Sequence, residues 1–246
     1  PLAKRFCLAL SALLMLAAPA LAQPQGPDPV TRTVEYTHNG QSCKGYLAMP
    51  GGVTTAVLKP GILVVPEWWG LNEFAKTRAE NLARQGYIAF AADVYGEGKV
   101  TDDPKQAGQW AGNFYGDRAL FRERLMAGLN VLKDQPQTDD GRLAAIGFCF
   151  GGTAVCELAL AGAPIHWAVS FHGNPRPPMD GDLDRLDAVI APHHGDADSF
   201  VPDEKLEAFL NPLREAEKQF ILVRYLASAP RAMTVIFSGW IFLDFL

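Results

Sequence analysis

The stretch Gly141 to Gly152, G-R-L-A-A-I-G-F-C-F-G-G, decides how this chain is built. Gly141 to Phe148 ends in an apolar run of strand length, the pattern of a strand buried on both faces of a parallel sheet. Gly151 to Leu160 has the length and small apolar residues of a buried helix. Between them lies Gly147-Phe148-Cys149-Phe150-Gly151, a nucleophile with a glycine two residues to either side. A sharp strand-to-helix turn forces strained backbone angles on the middle residue, and the glycines let neighbouring segments pass close. The helix N-terminus adds amide donors and partial positive charge, a field that favours a thiolate and an oxyanion. Cys149 is therefore the candidate nucleophile, and the Phe150 N–H the first candidate oxyanion donor. The competing reading is a structural cysteine in a glycine-rich turn; the strand before it and the helix after it favour the functional one.

Working outward, the chain alternates strands and helices. Thr31 to His38 alternates like an edge strand, Asn39-Gly40 is a two-residue hairpin signal, and Gly45 to Met49 returns. Gly61 to Val65 is an apolar strand between prolines, Glu73 to Gln85 an amphipathic helix ended by Gly86, and Tyr87 to Ala92 the next strand. Thr101 to Lys133 reads as mostly helical with a break at Asp117-Arg118. Trp167 to Phe171, Val189 to His194 and Phe220 to Tyr225 read as strands, and Glu204 to Lys218 as a helix. This order predicts an α/β fold with a doubly wound, mainly parallel sheet and right-handed crossovers.

Two further loops carry chemistry. Pro66-Glu67-Trp68-Trp69-Gly70 follows the first buried strand, where a second oxyanion donor is expected from the Trp68 N–H. Glu67, beside two aromatics, is a carboxylate whose pKa such surroundings raise, suiting it to proton transfer; a surface glutamate at a loop tip is the alternative. Gly195-Asp196-Ala197-Asp198 closes another strand. Asp198 is the candidate to orient a catalytic imidazole, and Asp196 reads as a turn residue; both could be turn-formers.

Together V-V-P-E-W-W-G-L-N, A-A-D-V-Y-G-E-G-K, I-G-F-C-F-G-G and H-G-D-A-D-S-F-V-P resemble the dienelactone hydrolase family, from about Tyr46 to Tyr225 and in the family's order and spacing. The resemblance implies an α/β-hydrolase fold and a Cys-His-Asp triad with Cys149 and Asp198. It also implies that Glu67 helps to activate the thiol. Small esters or lactones would be hydrolysed through an acyl-thioester, with no metal or organic cofactor.

Two departures stand out. Dienelactone enzymes of the family carry an arginine soon after the D-x-Y segment to hold a substrate carboxylate, whereas here Asp93-Val94-Tyr95 is followed by Gly96-Glu97. The family's histidine follows the last strand in a Y-x-G-x-x-H pattern, yet no histidine occurs after His194. The tail, residues 226–246, is nearly all apolar towards its end and atypical: the C-terminal histidine loop and closing helix are missing or altered. Were Pro230 encoded CCA and Arg231 CGG, reading one base on would give His-Gly, so a frameshift would explain the tail. The alternative to an active hydrolase is thus a catalytically impaired or inactive protein of the same fold. His172, His193 and His194 are the remaining histidines at the expected catalytic edge, with His38 and His166 weaker candidates.

The 246 residues are 48% hydrophobic and 20% charged, an ordinary globular balance for one domain over residues 23–246. A net charge of -5 without a basic run argues against a nucleic-acid partner. Lys4-Arg5, an apolar run to Ala18 and Ala20-Leu21-Ala22 read as a signal peptide over residues 1–22. The run is shorter than the roughly 20 residues a membrane span needs. The mature chain is expected to be periplasmic or secreted, off the membrane and monomeric. Cys43, Cys149 and Cys156 would remain, an odd number, and two helical turns hold the last two about 10 Å apart, beyond disulfide reach.

Overall fold

The computed structural model describes residues 27–225, so the expected leader and the tail from 226 lie outside the described residues. Asn39 and Gly40 both take positive φ, 50° and 75°, the turn whose twist matches an antiparallel pair. They close β1 (Val30–His38) onto β2 (Gln41–Met49) at the sheet edge. The next two strands are β3 (Lys59–Val65) and β4 (Ile88–Ala91), and between them runs α1 (Glu73–Arg84). Asn72 caps α1, its side chain accepting from the Ala75 amide, and Gly86 follows at φ 102°, where a side chain would be strained.

The expected long helical stretch is two helices, α2 (Pro104–Gly116) and α3 (Arg118–Lys133). Asp117 ends the first and caps the second, accepting from the Leu120 amide at 2.9 Å. Then follow β5 (Thr138–Phe148), α4 (Phe150–Leu160), β6 (Trp167–Phe171), the one-turn helix α5 (Asp182–Arg185), β7 (Val189–Gly195), α6 (Asp203–Glu215) and β8 (Val223–Tyr225). The last strand is shorter than expected, since Phe220 makes only an isolated bridge to Ile190.

Among the described residues the eight strands form one sheet in the order β1-β2-β4-β3-β5-β6-β7-β8. β1, β2 and β4 pair antiparallel and all later neighbours pair parallel. Helices cover both faces, as expected of a doubly wound sheet. Ala75, Ala79 and Leu82 of α1 pack with Ile62, Val64 and Phe148 on one side. On the other, Leu125 and Leu129 of α3, Leu158 of α4 and Phe209 of α6 pack with Leu63, Phe90 and Ile190. No helix among the described residues is long and apolar enough to cross a membrane.

The register sets up one edge. Val65 pairs with Gly147, Phe148 with Phe171, and Phe171 with His193. The loops leaving β3, β5, β6 and β7 therefore start level with one another, at the carboxyl ends of the strands where doubly wound sheets bind ligands.

Candidate active site

Cys149 follows β5 at φ 55° and ψ −115°, a conformation rare outside glycine, and forms the N-cap of α4. Its amide donates to the Phe171 carbonyl at 3.0 Å, tying the turn to β6. A Cβ on Gly147 would lie 2.1 Å from the Gly151 carbonyl oxygen, and one on Gly151 would lie 2.2 Å from that of Val65. Only glycine fits either place, which is the physical reason for the G-x-C-x-G spacing.

The thiol behaves differently from the expectation that the helix end would favour a thiolate. Its pKa is pushed up to about 11, first by burial and then by the carboxylates of Glu67 and Asp198. The Phe150 amide, bonded to the sulfur, pulls it down but loses to these. With its pKa raised so far, the resting thiol is protonated near neutral pH, and any chemistry at the sulfur would need a neighbour to take the proton.

Glu67 lies at the mouth of the β3 loop with its side chain 19% exposed, and burial raises its pKa. The loop turns back at once, the Gly70 amide donating to the Glu67 carbonyl at 3.2 Å. The Trp68 carbonyl accepts from the Tyr95 hydroxyl at 2.9 Å, and the Thr101 amide donates to the Trp69 carbonyl at 3.0 Å. Asp198 is buried on the loop after β7, its carboxylate accepting from the Phe200 amide at 2.9 Å. It is thus a turn residue as well as a charge beside the thiol. Asp196 is spent elsewhere, in an ion pair with Arg224 at 2.6 Å.

The histidines separate by place. His172 leaves β6 at φ 41°, its side chain 7% exposed and its Nε2 4.0 Å from the Glu67 carboxylate. Burial lowers its pKa, and the Asp198 carboxylate opposes that. His193 meets the Tyr225 hydroxyl through Nδ1 at 2.8 Å and packs on Phe171; burial lowers its pKa to about 4. His194 is buried near Asp198, Asp203 and Arg224. His38 accepts from Arg124 beyond the hairpin, and His166 lies at the opposite end of the sheet, its amide bonded to Leu143.

Sequence reasoning missed two features. Tyr95 and Tyr115 face the thiol closely enough that its charge would raise their pKa values, that of Tyr115 to about 12, burial being the larger cause for both. Both pack on Phe150, with ring centres 5.7 and 5.4 Å away, giving the site an aromatic wall. Tyr95 lies in the D-V-Y segment, but nothing in the sequence marks Tyr115. The second feature is Glu157 of α4, 1% exposed, which accepts from Arg118, Arg122 and Arg176 at 3.1, 2.8 and 3.2 Å. Asp182 receives both terminal nitrogens of Arg122 at 2.7 Å. This network binds α3, α4, α5 and the loop after β6 behind the wall. No group of three or more His, Cys, Asp or Glu among the described residues could hold a metal ion.

The geometry has relatives. The chain is 37% identical to a dienelactone hydrolase-like promiscuous phosphotriesterase from metagenomic libraries, whose crystal structure superposes with a TM-score of 0.79 over 82% of this chain and 83% of that one. It is 29% identical to a Bradyrhizobium protein named as a probable 2-oxo-3-(5-oxofuran-2-ylidene)propanoate lactonase, over 78% of this chain and 79% of the relative. It is 34% identical to the protein usf of Aquifex pyrophilus over 58% of this chain, a match that spans only 62% of that relative's length. The model of the dienelactone hydrolase family matches residues 43–229, from within β2 to beyond β8. With that match and this eight-stranded sheet, the chain belongs to the dienelactone hydrolase family.

Proposed function

We propose that this protein hydrolyses small carboxylic esters or lactones through attack by the Cys149 thiol and an acyl-thioester intermediate. The observation that carries the reading is Cys149 itself, held at positive φ on a strand-to-helix turn with two carboxylates bearing on its sulfur. In this reading Glu67, with its raised pKa, helps to draw off the thiol proton, and Asp198 supports the base. The amides of Phe150 and Trp68 receive the oxyanion. The chemistry as proposed uses no metal and no organic cofactor.

The substrate is proposed to be uncharged near the scissile bond. Glu97 stands where dienelactone enzymes carry an arginine, and it pairs with Lys99 at 2.9 Å. The Bradyrhizobium relative's lactonase name favours lactones among the candidates. A second reading, a catalytically impaired member of the family, is favoured by the absence of any histidine after His194.

One experiment tests both readings. With p-nitrophenyl acetate, the hydrolytic reading expects steady turnover that Cys149→Ala abolishes and an acetyl adduct that maps to Cys149. A burst of about one equivalent with no turnover supports the impaired reading. Hydrolysis that survives Cys149→Ala overturns the thiol as nucleophile.

We also propose that the protein works outside the cytoplasm, as a monomer. The Lys4-Arg5, apolar run and Ala20-Leu21-Ala22 order supports export. Light scattering of the mature chain tests the monomer, and a dimer mass refutes it.

A further inference from the structure

We propose that His172 is the general base of this site, in place of the histidine that the chain lacks after β8. The inference rests on the reading of Cys149 as nucleophile. Its basis is the register of three neighbouring strands. Val65 pairs with Gly147 and Phe148 with Phe171, so Glu67, Cys149 and His172 leave β3, β5 and β6 at the same level. Adjacent strands lie about 4.8 Å apart. The bond from the Cys149 amide to the Phe171 carbonyl holds the thiol residue against the residue before His172.

The imidazole has the surroundings a base needs. Its Nε2 faces the Glu67 carboxylate at 4.0 Å, and the Asp198 carboxylate acts on it from the β7 loop. The same two carboxylates act on the Cys149 thiol. A proton passing from sulfur to imidazole thus turns a neutral thiol among carboxylates into a thiolate beside an imidazolium that both carboxylates stabilise. Burial disfavours the protonated form of the resting imidazole, and the Asp198 carboxylate opposes that. The positive φ of 41° is a second mark, since non-glycine residues held this way cluster at functional sites.

The other histidines are placed differently. His193 bonds Tyr225 and packs on Phe171 at 4.7 Å, among the core residues of the α1 face. His194 sits among Asp196, Asp198, Asp203 and Arg224, towards β8 and α6.

The steps balance. As sulfur bonds to the carbonyl carbon, the thiol proton moves to the imidazole, directly or through one water, and the carbonyl electron pair moves onto oxygen. The tetrahedral adduct collapses, the ester C–O bond breaks, and the imidazolium protonates the departing alkoxide. A water then gives a proton to the imidazole as its oxygen bonds to the thioester carbon. The C–S bond breaks, the thiolate takes the proton back, and the acid leaves.

The test uses the full chain and p-nitrophenyl acetate. His172→Asn keeps a residue that tolerates positive φ and removes the base. We expect acylation and turnover to fall about 10²–10⁴-fold, while the His193→Gln control stays within about threefold of the wild type. His172→Gly also suits the backbone and opens room for added imidazole. Added imidazole should raise its rate above that of the Cys149→Ala/His172→Gly double variant, an outcome that a merely structural role would not give. If His172→Asn acylates and turns over within about threefold of the wild type, the proposal is overturned. A folded His172→Gly variant that imidazole fails to rescue overturns it as well. Wild-type activity that does not depend on Cys149 removes the nucleophile reading instead, and is recognised by Cys149→Ala alone.

Discussion

The α-carbon of Gly151 comes so near the carbonyl of Val65 that a Cβ there would lie 2.2 Å from its oxygen. The turn at Cys149 and the end of the strand that leads to Glu67 are thus in backbone contact, with no side chain able to yield. Gly151→Ala must move one segment against the other. We expect it to destabilise the fold by about 1–3 kcal/mol, as overpacking does. Activity should fall further than stability, because the shift separates Glu67 from Cys149. Thermal unfolding and ester turnover measured on the same sample check this; a variant with wild-type turnover would refute it.

Thiol chemistry offers a second check. Cys43 and Cys156 are buried at 0% and 1% exposure, whereas Cys149 is partly exposed. Iodoacetamide should therefore label Cys149 first, read by peptide mapping. With a thiol pKa of about 11, the labelling rate should keep rising with pH through the alkaline range instead of levelling near neutrality. Glu67→Gln removes a negative charge that disfavours the thiolate, so the pKa falls and labelling at pH 8 quickens several-fold. Ester turnover by the same variant should slow. Opposite signs from one substitution would separate the charge of Glu67 from the part in proton transfer proposed for it.

Glu157 predicts a loss of stability. Replacing it with Gln leaves Arg118 and Arg176 short of their anionic partner and Arg122 with Asp182 alone. Breaking a buried ion pair from one side costs about 3–5 kcal/mol, and the midpoint of urea unfolding should fall accordingly. A change under about 1 kcal/mol would mean that the network is better solvated than its burial indicates.

Export is read at the N-terminus. Material recovered from the cell envelope should begin at Gln23, after Ala20-Leu21-Ala22. Sequencing its first residues decides the matter, and an intact chain confined to the cytoplasm would contradict it.

Much of the fold was legible because its signals are local. Asn39-Gly40 marked the hairpin, Gly61 to Val65 and Gly141 to Phe148 the buried strands, and the glycines around Cys149 the turn. Glu67 and Asp198 could be named because each lies in a loop directly after an apolar strand. What stayed hidden depends on register or on competing energies. His172 was one histidine among several until the pairing of Phe148 with Phe171 set it level with Cys149. Glu157 sits in a helix of small apolar residues, and its arginines come from α3 and the loop after β6, 35 residues before it in the case of Arg122. The net state of the thiol was not legible because the helix field is visible in a sequence, whereas the burial and two converging carboxylates that outweigh it are not.

The order β4-β3-β5 has a bearing on how the site comes into being. Leu63 pairs with Ala145, 82 positions later, and α1, β4, α2 and α3 lie in between. The β1–β2 hairpin closes across two residues and can form early, but the β3–β5 ladder must first overcome the entropy of closing a long loop. Glu67 and Cys149 are strangers until that ladder zips. During refolding, therefore, helical signal should rise before Cys149 acquires its native reactivity, and the thiol itself times the moment at which the centre of the sheet is complete.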